Sequence, residues 1–225
     1  MVNRIYEKVV ASIPNCPADY AQYMQDNILN IINSTQLPNV FRQQHLDLEN
    51  APAKLKSLYR NSSQIISERQ NIMVEMKNYQ YSGFISSACI ENYVTIKLIQ
   101  DEHIVTMLYI DTPILVEDYK RLIDRDPDKL SPRIEHNLEV LYKLIYEAEY
   151  VFWDKFDMSK SNFDMSKLYE ILSIRYRNCL GNMFFIRSNY NEFISYAIPS
   201  EMADILNLTA VYGLEKEQDN YKNIK

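Results

Sequence analysis

The side chains that most often bind metals or act as catalytic bases are scarce in this chain and lie far apart. Its three histidines, His45, His103 and His136, form no HExxH pair, and its three cysteines include no CxxC pair. No zinc site is therefore predicted, and we interpret the histidines as surface or hydrogen-bonded residues. The DRDPD segment at 124–128 lacks the glycine and the closing glutamate of a calcium loop. We interpret it as a polar loop.

Arginine and tyrosine provide a candidate surface for nucleic acid late in the sequence. Proteins that bind single strands without sequence preference combine cations that neutralise phosphates with aromatic rings on which bases stack. The candidate contacts to single-stranded DNA are Arg175, Arg177, Arg187 and Tyr190. The alternative reading of the same residues is a solvated basic rim without a ligand.

Composition narrows the function further. The chain has 225 residues and a net charge of −6, whereas proteins that hold DNA by their whole surface are usually basic. It has only three glycines, which leaves few positions where the backbone approaches a phosphate closely. The N-terminus is too polar for a secretory signal, and no segment approaches the about 18 apolar residues of a membrane span. These features favour a cytoplasmic protein that binds other proteins and no membrane.

Hydrophobic spacing divides the chain into an N-terminal helical segment, residues 1–36, and an α/β domain, residues 37–225. Residues 50–77 continue with helical spacing and are predicted to form two more helices. Beyond them, short apolar runs alternate with helical segments, which is the pattern of a parallel sheet covered on both faces. The predicted strands are 81–85, 103–111, 149–154, 182–189 and 210–214. The predicted helices of this part are 90–100, 134–147, 167–179 and 199–208, with a further helix that begins at Pro113.

Several segments follow one another in an order that is typical of one protein family. EYVFWDKFD ends a strand in acids, LYEILSIRYRNCLGNMFFIRSNYN leads from a helix into a strand, and EMADILNLTAVYGLE supplies a helix and a closing strand. This succession resembles the ATPase domain of DnaC/DnaI/IstB-type AAA+ helicase loaders. LPNVFRQQHLDLEN and TMLYIDTPILVEDYKRL are similar to the entry segment and second strand of that family. The resemblance covers residues 37–214 and implies an AAA+-like, P-loop NTPase-type parallel sheet flanked by helices.

The resemblance also shows where the chain departs from an ATPase. The family's first strand runs into a G-x-x-x-x-G-K-[ST] loop that holds phosphates and magnesium, but no such motif follows the strand predicted at 81–85. Asp154 matches the metal-binding position or else caps a loop, whereas Lys155 replaces the acid expected to polarise water, and a cation is no general base at neutral pH. Segment 201–206 lacks the family's arginines, and Asn189 alone remains of its polar sensing residues. The resemblance therefore implies a chain without ATPase activity or cofactor.

The resemblance implies an interaction protein of DNA replication. Family members deliver the replicative helicase to DNA, so the expected partner is that helicase or its loader, and any homo-oligomer forms without ATP. The predicted partner contacts lie in the N-terminal helical segment: Ile5, Tyr6, Val9, Tyr20, Tyr23 and Met24. Two alternatives stay open, a divergent active NTPase that uses a loop around Ser86 and Ser87 and a replication factor that binds single-stranded DNA.

Overall fold

The computed structural model describes residues 18–43, 46–49, 51–100, 102–123, 132–158, 162–187, 191, 193, 206 and 208–214. Its principal helices are α1 (Ala18–Ser34), α2 (Asn39–Gln43), α3 (Ala53–Ser67), α4 (Ser82–Ile99), α5 (Thr112–Ile123), α6 (Pro132–Glu147) and α7 (Asn162–Arg177). Its strands are β1 (Asn71–Glu75), β2 (Met107–Asp111), β3 (Tyr150–Asp154), β4 (Gly181–Ile186) and β5 (Ala210–Gly213). Among these residues no helix combines the length and apolar character needed to cross a bilayer.

The described strands form one five-stranded sheet in the order β2-β3-β4-β1-β5, and every neighbouring pair is parallel. All five carboxyl ends therefore lie along the same edge of the sheet. The prediction of a parallel sheet flanked by helices, with a helical segment before it, is confirmed. Most of the helix predicted at 199–208, residues 199–205 and 207, and the first predicted helix of the N-terminal segment lie outside the described residues.

The first strand is the part of the fold for which the prediction was wrong. β1 lies inside the segment predicted as helix, 50–77, and the run 81–85 is not a strand but the turn and first residues of α4. β1 is central in the sheet and its middle residues are buried, so it lacks the alternation that marks a half-exposed strand. The start of α4 is buried on almost every side, and burial of consecutive residues is also what a strand covered on both faces shows.

Each face of the sheet carries its own hydrophobic core. Successive strand residues point to opposite faces, and accordingly Ile72 and Val74 belong to one cluster of buried residues and Met73 to the other. Helices α1, α3 and α4 cover the first cluster, whereas α5, α6 and α7 cover the second. The edge strand β2 consequently lies between α1 on one face and α6 on the other.

Candidate functional site at the carboxyl edge of the sheet

Two carboxylates meet where β2 and β3 end. Asp111 and Asp154 are the last residues of their strands and are direct partners in the parallel register. Beside them, β1 continues through residues 76–81 into α4, whose first residue is Ser82. In open parallel sheets ligands bind at this edge. The segment comparable with a phosphate loop is thus MKNYQY at 76–81, which contains no glycine, and not the residues after Gly83 that the sequence comparison used.

The carboxylate of Asp154 is buried and hydrogen-bonded on both oxygens. It is only 2% exposed. The Ser82 hydroxyl donates to its Oδ1 at 2.5 Å, and the Tyr109 hydroxyl donates to its Oδ2 at 2.7 Å. Burial raises the pKa of Asp154, and these two hydrogen bonds oppose that rise. The oxygens that would coordinate a cation from this strand end are therefore already occupied by neighbouring side chains.

Lys155 places an ammonium group next to both strand-end acids. Its Nζ forms an ion pair with Asp111 and lies 3.7 Å from Oδ2 of Asp154. Partial burial acts to lower the pKa of Lys155, but the hydrogen bond to Asp111 and the charge of Asp154 outweigh it and the pKa is raised. Lys155 has φ 53, a left-handed conformation that costs a residue with a side chain of order 1 kcal/mol. The ion pair contributes to holding the residue in this conformation.

An aromatic side chain from α2 covers the start of α4. The Phe41 ring meets the Phe84 ring edge to face, with centroids 5.0 Å apart, and lies 6.2 Å from the ring of Tyr109. A Cβ atom added to Gly83 would fall 2.2 Å from the Phe41 ring. Gly83 therefore serves close packing of α2 on α4. Burial, together with the neighbouring Asp154 charge, raises the pKa of Tyr109, which keeps its hydroxyl protonated as a donor.

Two further side chains connect the loops at this edge. The backbone N–H of Arg187, just after β4, donates to the Tyr79 hydroxyl at 2.9 Å and to Oδ2 of Asp157 at 3.0 Å. Tyr79 belongs to the loop after β1 and Asp157 to the turn after β3. The ends of three adjacent strands are thus fixed to one another by side chains of the chain itself.

The chemistry open to this edge is limited by its donor set. Asp111 and Asp154 carry the carboxylate oxygens that a magnesium ion prefers, but such an ion would have to displace the Lys155 ammonium and a hydroxyl donor of Asp154. Within the described ranges, no group of three or more histidine, cysteine or acidic side chains is arranged to hold a metal. With Lys155 in place, one ammonium group of the protein offsets part of the negative charge of the two carboxylates.

Comparison with known proteins identifies the fold. No family model and no curated protein matches the sequence. The DnaC helicase loader is similar in structure, with a TM-score of 0.54 and 12% identity over 78% of this chain and 99% of that chain. DnaI gives a TM-score of 0.56 and 12% identity over 83% of this chain and 95% of that chain. The chain has a DnaC/DnaI-like fold. A protein assigned as a primosome component from Streptococcus pyogenes serotype M3 gives 0.56 and 13% identity, over 80% and 91% of the two chains.

Arg175 is an internal residue of this DnaC/DnaI-like fold, so the prediction that it contacts DNA is wrong. Its side chain is fully buried. Its guanidinium donates to the backbone oxygens of Ile145, Ala148 and Gly181 and to Oδ1 of Asn182, at 2.6 to 2.8 Å. Burial lowers the pKa of Arg175 to about 9, so the group is still a cation at neutral pH. It ties the end of α6 to the start of β4.

Arg177 and Arg187, the other candidate nucleic-acid residues that the structure describes, do not lie on one surface. Arg177 is exposed near the amino end of β4, with its Nε donating to the backbone oxygen of Ser173 at 3.2 Å. Arg187 is exposed beyond the carboxyl end of the same strand. A strand of this length separates its ends by about 20 Å, so the two cations lie at opposite edges of the sheet. Asn189 and Tyr190 lie outside the described residues.

The predicted partner contacts are only partly described. Ile5, Tyr6 and Val9 lie outside the described residues, and Tyr20 and Met24 lie on α1 without a described side chain. Tyr23 is 62% exposed on α1 and is therefore accessible to a partner.

Sequence reasoning found Asp154 and Lys155 but missed the side chains that close the site. Ser82 and Phe41 act through tertiary contacts that no local motif reveals. Tyr109 did leave a signal, because it lies two residues before Asp111 in β2 and two residues along a strand point to the same face. Once β2 and β3 are aligned in parallel register, the Tyr109 hydroxyl falls within reach of Asp154.

Proposed function

We propose that this chain is a replication accessory protein that acts by binding other proteins and does not hydrolyse ATP. The observation that carries the proposal is the state of Asp154, whose two carboxylate oxygens accept hydrogen bonds from Ser82 and Tyr109 beside the Lys155 ammonium. In an ATPase of this kind a strand-end acid must be available to magnesium. Here the equivalent acid is buried, and the loop at 76–81 offers no glycine to a phosphate.

We further propose that the partner is a replicative DNA helicase or its loader. The support is the DnaC/DnaI-like fold, since one structural neighbour is a helicase loader and another is assigned to the primosome. A chain that keeps the shape of a loader without using nucleotide would bind, join or cap such an assembly. This binding would then be independent of ATP.

Nucleotide titration tests the first part. The purified chain would be heated with increasing MgATP up to millimolar concentrations, and phosphate release would be measured in parallel. A ligand at a hundred times its Kd stabilises a folded protein by about 2.7 kcal/mol, so bound nucleotide would give a clear rise in Tm. We expect no rise and no phosphate release above background. Magnesium-dependent turnover that Asp154→Asn abolishes would show instead that the chain is a divergent NTPase.

A pull-down tests the second part. The tagged chain would be mixed with the purified replicative helicase of the cell in which it is produced, and separately with the helicase loader of that cell, in MgATP and in EDTA without nucleotide. We expect one of the two proteins to be retained equally well under both conditions. Retention of neither protein, or retention only with MgATP, would contradict the proposal.

A further inference from the structure

An open apolar groove lies at the amino end of β2, on the edge of the sheet away from Asp111 and Asp154. Its volume is about 380 Å³. Ile104, Val105 and Met107 form its floor, and Ile31 of α1 and Leu144 of α6 stand on either side. Since β2 is the edge strand, no other strand among the described residues pairs with it on this side.

Backbone direction explains why the groove is open here. The backbone oxygen of Thr106 accepts from the N–H of Tyr150 in β3. The backbone polar groups of Thr106 therefore point toward β3, and those of its neighbour Met107 point toward the open edge. Two residues later the same edge is closed, because the N–H of Tyr109 donates to the backbone oxygen of Thr35 at 2.8 Å. The groove is the stretch of edge before this contact with the end of α1.

The apolar surface continues out of the groove along α6. Leu144 is 36% exposed, and Val140, one turn earlier on the same helix, is 44% exposed. Residues four apart lie on one face of a helix, so the two form an apolar stripe that leads from the groove to the surface. Single exposed apolar residues are ordinary, but contiguous ones that extend a concave apolar floor are typical of protein-binding sites.

The helices beside the groove are acidic. α1 carries two acids and no lysine or arginine, and α6 carries three acids and two bases, so together they contribute −3 of the chain's net −6. By contrast, α3 carries three bases and no acid. Glu147, the last residue of α6, lines the groove itself. Its neighbour Lys143, at 3.8 Å, is 73% exposed, which gives a weak surface pair that a closer cation would replace.

We propose that this groove binds a segment of a second protein that presents apolar side chains next to a lysine or arginine. The apolar side chains enter between Ile31 and Leu144 over the edge of β2, and the cation pairs with Glu147. Such a segment uses the same physics as an amphipathic helix in a hydrophobic groove. This inference rests on the proposed function in taking protein binding as the activity, but it needs neither the helicase nor the loader to be the partner.

Designed peptides test the groove directly. A fluorescent amphipathic helix with a leucine stripe flanked by lysines would be titrated with the full chain, and anisotropy would give the Kd. A matched peptide has glutamate at every lysine position. We expect saturable binding of the lysine peptide and much weaker binding of the glutamate peptide. Leu144→Ser should raise the Kd of the lysine peptide about tenfold, as for an apolar anchor, and Glu147→Gln should raise it a few-fold and reduce its salt dependence.

Val211→Ser is the matched control. The side chain of Val211 is 42% exposed, a fraction similar to that of Leu144. Val211 lies on β5, however, at the opposite edge of the sheet. We expect this variant to bind the lysine peptide like the original chain. Equal binding of both peptides, or equal effects of Leu144→Ser and Val211→Ser, would overturn the proposal.

The same variants separate this inference from the proposed function. If the helicase or loader is retained in the pull-down and Leu144→Ser retains it equally well, the groove is not the contact and the proposed function stands. If the lysine peptide binds at Leu144 but neither replication protein is retained, the groove stands and the proposed partner is wrong. If the groove is the contact and the partner is the helicase or its loader, Leu144→Ser weakens retention in the pull-down and Val211→Ser does not.

Discussion

The two ends of β2 are built in opposite ways. At the carboxyl end, Asp111 pairs with Lys155, and the Tyr109 hydroxyl donates to Asp154 beneath a covering of aromatic rings. At the amino end, Val105 and Met107 form an apolar floor that the chain leaves open between α1 and α6. At the carboxyl end, polar side chains are paired with one another. At the amino end, apolar side chains line a groove that is open to solvent.

This difference bears on where a partner binds. In a parallel sheet the carboxyl end is the usual site for a ligand, but a ligand there would have to displace side chains that already satisfy Asp154. Binding at the amino-end groove displaces only water from apolar surface, which is favourable. Under the proposed function, the chain would then interact with its partner through a surface remote from the carboxyl edge of the sheet.

The largest expected effect is a loss of stability on substitution of Arg175, which connects the end of α6 to the start of β4 at the amino edge of the sheet. It donates to the oxygen of Ala148, a residue of the groove, and to three other buried acceptors. Arg175→Met would remove all four of these buried hydrogen bonds, leaving Oδ1 of Asn182 with the Trp153 indole N–H, and we expect a loss of about 4 kcal/mol in the free energy of unfolding. Denaturant unfolding measures it. Arg175→Lys should lose most of the same stability, since one ammonium cannot reach acceptors spread around a planar fork.

Arg177 provides the control on the same helix. It is exposed and has one long hydrogen bond to its own helix, so Arg177→Met should change stability by no more than about 0.5 kcal/mol. Equal losses for Arg175→Met and Arg177→Met would mean that the amino end does not depend on the buried guanidinium.

A smaller effect is expected where the carboxyl end is most tightly packed. In Gly83→Ala the new methyl group collides with the Phe41 ring, and overpacking of this kind costs about 2 kcal/mol. The higher helix propensity of alanine offsets about 1 kcal/mol of that cost. We expect a net loss in thermal or denaturant unfolding that becomes smaller, or changes sign, in a Phe41→Ala background.

Gly213→Ala is the matched substitution at a less crowded glycine. Its added Cβ would lie 3.0 Å from Oε2 of Glu75 and 3.6 Å from Nζ of Lys54, both of which are terminal atoms of long side chains and not an aromatic ring. It should therefore be close to neutral. If Gly83→Ala is equally neutral, α2 is not packed firmly over α4 and the carboxyl end is less closed than its contacts imply.

Much of this contrast was within reach of the sequence, and the failures have physical causes. Leu168, Ile171, Leu172 and Arg175 follow the i, i+3, i+4, i+7 spacing of a core-facing stripe. Residues two apart on a helix point in nearly opposite directions, so Arg175 and Arg177 had to face different surroundings. The prediction that grouped them by charge ignored this geometry.

The misplaced first strand had a different cause. The chain turns between α3 and β1 at Arg69, which has φ 52 without being glycine, so no glycine or proline marked the end of the helix. The parallel order of the later strands was predictable from their apolar runs. The groove was not, because it forms between α1, β2 and α6, which are far apart in the sequence and meet only in the folded chain.

The smallest predicted effect compares one carboxylate from each end of the sheet. Glu149, at the amino end, is partly buried, which acts to raise its pKa, but hydrogen bonds from the Thr106 N–H and Arg69 and the nearby His103 lower it below its ordinary 4.5. A depressed pKa contributes stability above 4.5 that is lost as the pH falls through the folded value. The pKa of Asp154 is shifted in the opposite direction, so its effect on the pH dependence of stability has the opposite sign. Burial raises its pKa above 3.8, so the folded chain takes up that proton first and gains relative stability as the pH falls.

Unfolding free energies between about pH 3 and pH 6 therefore separate the two ends. Glu149→Gln removes a carboxylate whose stabilising contribution is lost in acid. The free energy of unfolding of this variant should therefore fall less steeply with decreasing pH than that of the original chain. Asp154→Asn removes a carboxyl group whose protonation in acid stabilises the folded chain. The free energy of unfolding of this variant should therefore fall more steeply with decreasing pH. If both variants change the slope in the same direction, the two carboxylates are not in contrasting environments, and the difference between the closed polar end and the open apolar end would have to be restated without their charges.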